Sequence, residues 1–188
     1  QGAGFYINGG TTNLVDSTVS GNVSAGLGGG FYISSGTVNL TRSTLSGNSG
    51  TRGGGMENRG TVTLTNSTVS GNSATSGDGG GVWLSAGNLI ITNSTITGNS
   101  ATSEGGGIFD FSGADTTSLV NTIVAGNTAP TAPDCFGAPT SLGSNLIGND
   151  SGCSYSIASG DIVGTFSNPK DPLLGSLQAN GGPTFTHE

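Results

Sequence analysis

Charge is the scarcest property of this chain. Only 8% of its 188 residues are charged, and four are basic: Arg42, Arg52, Arg59 and Lys170. Net charge is −7 and no basic stripe exists, so there is nothing to displace counterions from a phosphate backbone. That excludes nucleic acid as a partner, and the same shortage excludes attraction to anionic lipid. No run of 18 apolar residues occurs, so membrane insertion by this segment is not expected. Histidine is represented once, by His187, which gives no cluster for a metal, and no cofactor is expected. Cysteine appears twice, at Cys135 and Cys153. The pair reads as a disulfide closing a loop of about 19 residues, worth about 3 kcal/mol, with two separate buried thiols as the alternative. A disulfide favours an oxidising, extracytoplasmic setting.

Glycine, by contrast, is in excess, with 37 residues. Without periodicity that would mean a flexible, disordered segment. Here it is periodic. Triple glycines open blocks at Gly28-Gly29-Gly30, Gly53-Gly54-Gly55, Gly79-Gly80-Gly81 and Gly105-Gly106-Gly107, and Gly2-Ala3-Gly4 opens an earlier copy. Each block closes on Gly-Asn, ending at Asn22, Asn48, Asn72, Asn99 and Asn127. A repeat of this length is one turn of a solenoid, which cannot bury its apolar face alone and must stack on its neighbours.

Within a block, apolar and polar residues alternate with period two, and no segment keeps a helical period. Three short strands per turn with Gly, Asn and Ser corners predict an all-β fold: a parallel β-helix of about five regular turns plus an irregular C-terminal turn and tail, whose right hand is implied by the family resemblance given below. At about 4.8 Å per turn, five turns span roughly 24 Å. Residues 1–127 are the repeats. Residues 128–188 hold the irregular turn, the disulfide loop and a capping or packing tail in the same domain.

Stacked copies give columns. Phe5, Phe31, Met56, Val82 and Ile108 form one apolar column, Leu14, Leu40, Leu64, Ile91 and Leu119 a second, and Val19, Leu45, Val69, Ile96 and Val124 a third. Asn22, Asn48, Asn72, Asn99 and Asn127 form a structural ladder, as do Asn66, Asn93 and Asn121 with Asp16 and Arg42, because Asn tolerates left-handed backbone and bonds to the next Asn in the stack.

The GGG-apolar-aromatic and STxSGNSA wording of residues 1–127 resembles the right-handed β-helix repeats of bacterial cell-surface proteins of the polymorphic outer-membrane-protein type. Asp171-Pro172-Leu173-Leu174-Gly175, Leu177, Asn180-Gly181-Gly182-Pro183-Thr184 and Thr186-His187 resemble the signature of the choice-of-anchor Q domain. The resemblance implies a bacterial extracellular or cell-surface protein and carries over no catalytic residues. The chain starts inside a repeat and stops at Glu188, which reads as a mature or truncated piece with any anchoring tail missing or never present. Independently of the family, the tail's prolines and glycines forbid a central strand, so Leu173, Leu174, Leu177 and Phe185 are expected across the last turn or along a side of the coil.

Three patterns invite chemistry. Tyr6, Tyr32, Glu57, Trp83 and Phe109 form a column expected to face outward, to stack sugars, to bind a partner, or simply to shield the sheet. Asp78 and Glu104 each precede a triple glycine; they offer a weak calcium site, or Asp78 pairs with Arg52 in the same column, the simpler account. Glu57 and Asp110 form a marginal acid–base pair for glycoside hydrolysis. An outward Thr/Ser face, including Thr44, Thr68, Ser70, Thr95 and Thr97, suits strand surfaces generally. These patterns point to a non-enzymatic stalk, adhesin or head-to-tail fibre subunit, whose partners are copies of itself or a cell-surface glycan or protein. The alternative is a glycan-binding or polysaccharide-degrading coil.

Overall fold

A computed structural model describes residues 4–111 and 116–188. Its strands pair in parallel, each with the equivalent strand one turn away, in sheets of ten, seven and three strands among the described residues. The first sheet starts with two long strands, Phe5–Val15 and Phe31–Thr41. It then divides into two limbs. One runs Met56–Asn58, Val82–Leu84, Ile108–Asp110 and Cys135–Phe136; the other runs Thr61–Thr65, Asn88–Thr92, Thr117–Val120 and Thr140–Ser141. The second sheet stacks Thr18–Ser20, Thr44–Ser46, Thr68–Ser70, Thr95–Thr97, Ile123–Val124, Leu146–Ile147 and Ile162–Val163. The third sheet, Ser49–Gly50, Ser73–Ala74 and Ser100–Ala101, occupies a stretch expected to be a corner. Its residues are small enough for neighbouring turns to pair there.

The three apolar columns meet in one buried core, except at the first turn, where Leu14 is only partly buried and Phe5 is exposed because no earlier described turn covers it. Phe31 pairs in register with Met56, Leu40 with Leu64 and Leu45 with Val69. Alternation also sends Ile33, Asn58, Leu84 and Asp110 inward, a fourth column absent from the sequence reading. The coil continues past Asn127. Cys135 takes the next place in the first column beside Ile108, fully buried, and forms the disulfide with Cys153 across a Cα–Cα distance of 5.5 Å.

Two side-chain ladders fix the corners. The backbone N–H and side-chain Nδ2 of Asn48 both donate to Asn72 Oδ1, at 2.9 Å each, and Asn72 donates likewise to Asn99. Asp16, Arg42, Asn66, Asn93 and Asn121 occupy a column of left-handed backbone, with φ between 48° and 50°. Where a turn requires that conformation, Asn tolerates it best among non-glycine residues. Gly54 shows why the triple glycines are needed: a Cβ there would lie 2.4 Å from the Ser73 carbonyl carbon and 2.5 Å from the Gly80 carbonyl oxygen of the adjacent turn.

Asn72 is wholly buried. Asn72→Ala takes the acceptor from the buried Asn48 backbone N–H and one of two acceptors from Asn48 Nδ2, and it removes the Nδ2 donor to the Leu45 carbonyl and Asn99 Oδ1. An orphaned buried donor costs about 1–3 kcal/mol. The variant is expected to lose about 1–3 kcal/mol in reversible urea unfolding followed by circular dichroism.

Candidate functional site

The aromatic column lies on the outer face of the first sheet, because its members alternate with core residues. Register places Tyr6 beside Tyr32, Tyr32 beside Glu57, Glu57 beside Trp83, and Trp83 beside Phe109. Phe136 extends it by a further turn. The column is not an open platform, which corrects the expectation of bare rings. Only Tyr6, at 50% exposure, is open; Tyr32 is half-buried, and Glu57, Trp83 and Phe109 are buried.

What closes the column is the chain itself. Arg59, two residues beyond Glu57 and so on the same face, donates from Nε and Nη2 to Glu57 Oε1, at 3.0 and 2.9 Å. Its Nε also reaches Ser85 Oγ at 3.2 Å, and its guanidinium lies 5.6 Å from the Tyr32 ring centre. Arg52 sits 5.0 Å over the Trp83 ring. Phe109 stacks on Phe136 at 4.7 Å and on Phe111 at 6.2 Å. Tyr6 stacks on Tyr32 at 5.5 Å. Sequence reasoning overlooked Arg59, Phe111 and Phe136 here. The period of two was the signal for Arg59, and alignment of Cys135 with Ile108 was the signal for Phe136.

The carboxylates are dispersed. Asp78 and Glu104 do lie one turn apart, since Gly53 N–H donates to the Asp78 carbonyl and Gly79 N–H to that of Glu104. The expected Arg52–Asp78 ion pair is not formed; the guanidinium covers Trp83 instead, gaining the ring face. Glu104 Oε1 accepts from Thr131 Oγ1 at 3.0 Å. Among the described residues no group of three or more His, Cys, Asp or Glu side chains is placed to hold a metal. Glu57 and Asp110 occupy opposite faces of the sheet, Asp110 in the inward column and bonded to Thr117 Oγ1 at 2.7 Å. They cannot flank one glycosidic bond.

The Thr/Ser face of the second sheet is covered by the tail. Thr44 Oγ1 donates to the Phe185 carbonyl at 2.7 Å, Thr184 Oγ1 to that of Arg42 at 3.2 Å, and Ser70 Oγ meets His187 Nε2 at 2.9 Å. His187 Nδ1 lies 2.7 Å from the Gly175 carbonyl. A carbonyl only accepts, so Nδ1 carries a proton, and in the neutral ring Nε2 then accepts from Ser70. The tail therefore runs along a side of the coil, and His187 acts as its clasp. Beyond the tail, Ile123, Leu146 and Ile162 line a polar-walled cleft of ≈ 350 Å³ with Asn93, Asn121 and Ser144.

A family model described as "right handed beta helix region" matches residues 1–164. The chain belongs to the right-handed β-helix family. Its parallel, in-register turns are those of that fold. No curated protein and no solved structure matches it.

Burial pushes the Glu57 carboxyl above its ordinary value of 4.5, against the pull of Arg59 and Arg52. The folded protein then holds a proton that the unfolded chain releases. This contribution favours folding below the unfolded value and is lost as pH rises through the folded one. Relative to Glu57→Gln, the wild-type protein is expected to lose stability across that window. Paired thermal melts from acidic to neutral pH measure it, and a gap that widens in favour of wild type refutes the assignment.

The tail contacts make a separate expectation. Thr44→Val with Ser70→Ala removes two of the side-chain anchors. Hydrogen exchange at the Gln178 and Thr186 amides, which close the tail's own hairpin, should accelerate at least tenfold while exchange in the first sheet stays unchanged.

Proposed function

We propose that this β-helix is a non-enzymatic surface or matrix coil of an extracellular bacterial protein, used as a stalk or adhesive shaft. The carrying observation is that the outer column of the first sheet and the Thr/Ser face of the second are closed by the chain's own groups. Arg52, Arg59 and Phe136 cover the column, and the tail covers Thr44 and Ser70. An enzyme groove along either face would need those groups elsewhere. The Glu57–Asp110 pair is split by the sheet, which removes the acid–base arrangement the sequence offered. The Cys135–Cys153 disulfide supports an oxidising location. The choice-of-anchor Q wording of the tail supports surface attachment, and its residues Thr184, Phe185 and His187 are the ones that grip the coil. Incubation with a panel of plant and bacterial polysaccharides should release neither reducing ends nor unsaturated products; sustained release that Glu57→Gln abolishes overturns this reading.

End-to-end stacking of copies is a second form of the same reading, favoured by exposed apolar residues towards both ends of the coil. Phe5 and Val15 lie in the first strand, and Leu142, Ile162 and Phe166 lie near the last ones. Such contact is heterologous and builds filaments. Light scattering over a concentration series is expected to show growing size; a monomer at every concentration rules out stacking and leaves the single stalk.

A further inference from the structure

The closed column keeps two polar atoms without partners. Glu57 is fully buried and commits Oε1 to Arg59, yet Oε2 accepts no hydrogen bond. Trp83 is 7% exposed and its indole N–H donates to nothing. The two residues are register neighbours on adjacent strands, and both stand on the outer face. Each unmet buried group costs about 1–3 kcal/mol, and folded proteins hold few of them. Here two occur on register-paired residues, and they are of opposite kind.

Their chemistry selects what can meet both. A hydroxyl oxygen accepts from the indole N–H while its hydrogen goes to the carboxylate. An ammonium offers no acceptor to the indole, and an anion is repelled by Glu57. Around this step stand the apolar faces of Tyr32 and Trp83, one strand spacing to either side. Those faces are covered by the guanidiniums of Arg59 and Arg52. Arg59 stays paired to the buried Glu57 carboxylate, where its guanidinium can also donate to hydroxyl and ring oxygens. Arg52 is exposed and holds no salt bridge among the described residues, so it can swing outward at little cost. A sugar ring combines the two needs, with an apolar C–H face for the aromatic ring and hydroxyls for the polar atoms.

We propose that the Glu57–Trp83 step is a subsite for a neutral saccharide, with Arg52 as the side chain that moves aside to admit it. Glu57 and Trp83 orient one hydroxyl, and the indole face that Arg52 vacates stacks the ring. This deepens the adhesive form of the surface-coil reading, on which it rests, by naming what the shaft holds.

Trp83 is the only tryptophan, so intrinsic emission reports from the site itself. The intact, disulfide-bonded protein is titrated with cello-, manno-, xylo-, malto- and chitohexaose. At least one is expected to shift Trp83 emission saturably. Glu57→Gln, which replaces the free acceptor or turns it into a donor, should weaken that binding at least tenfold. Arg52→Ala uncovers the indole without touching Glu57 and should tighten it severalfold, which keeps the test decisive if Glu57→Gln folds poorly. The proposal fails if no hexasaccharide shifts the emission, or if Glu57→Gln binds equally well. It also fails if a crystal structure soaked with the hexasaccharides shows only a water between Trp83 Nε1 and Glu57 Oε2. Product release from polysaccharides is measured separately, so failure of this subsite and failure of the non-enzymatic reading are told apart.

Discussion

Everything in this molecule depends on turns stacking in register, and the asparagine ladder enforces that register most directly. A parallel strand pair tolerates a slip by two residues without exposing its apolar face, because side chains keep alternating. The ladder does not tolerate it. Each Asn carboxamide oxygen receives two donors from the Asn of the preceding turn, one from the backbone and one from the side chain. A slipped turn would leave those donors buried and unpaired. The core columns supply the driving force for stacking, while the ladder decides which stacking is allowed.

The ladders also have a direction. Donors point from Asn22 towards Asn127, and the last link runs from Asn127 to Asp134, whose Oδ1 takes both hydrogens at 2.9 Å. A second ladder passes the backbone N–H of Ser17 to Ser43, Ser43 to Ser67 and Ser67 to Ser94, and farther along Thr122 to Asn145 and Asn145 to Asp161. Both close on a carboxylate. An ionised carboxylate only accepts, so it satisfies the arriving donors and passes none onward. Burial raises the Asp134 pKa, opposed by hydrogen bonds from Asn127 and Asn149. Asp161 is also penalised by burial, yet donors from Ser141, Asn145, Ala158 and Tyr155 leave it below its ordinary value.

Much of this was legible because a repeat prints its geometry several times. The three apolar columns, the Asn ladder and the left-handed column from Asp16 to Asn121 all follow from aligning copies. Even Arg42 was placed in a left-handed position that its own chemistry does not suggest. Features that occur once were harder. Arg52 was assigned to Asp78 because both precede a triple glycine, but backbone alignment does not say which way a long side chain lies. The ring of Trp83 offered it a partly dry surface, and Asp78 offered only a solvated charge. The tail's route was equally hidden: Phe185 meets Thr44 across 141 positions of sequence, and no periodicity links them. Outward direction was read correctly for the aromatic column, but exposure was not, because covering groups come from a different column.

That distinction between regular and singular residues locates specific chemistry. A ladder position repeated in every turn offers the same surface at each step and can recognise nothing in particular. From Tyr6 to Phe136 the outer column of the first sheet carries an aromatic ring at every turn except one, where Glu57 stands. A sixth ring there would stack as Tyr6 does on Tyr32 and would bury no charge. The carboxylate instead demands Arg59, leaves Oε2 unmet, and sits beside an indole whose N–H is also unmet. Stability alone does not favour that exchange, since an apolar side chain of similar volume avoids both the desolvation and the orphaned atoms. The coil's regularity makes the departure conspicuous, and its cost makes a binding role the more economical account of Glu57 than packing.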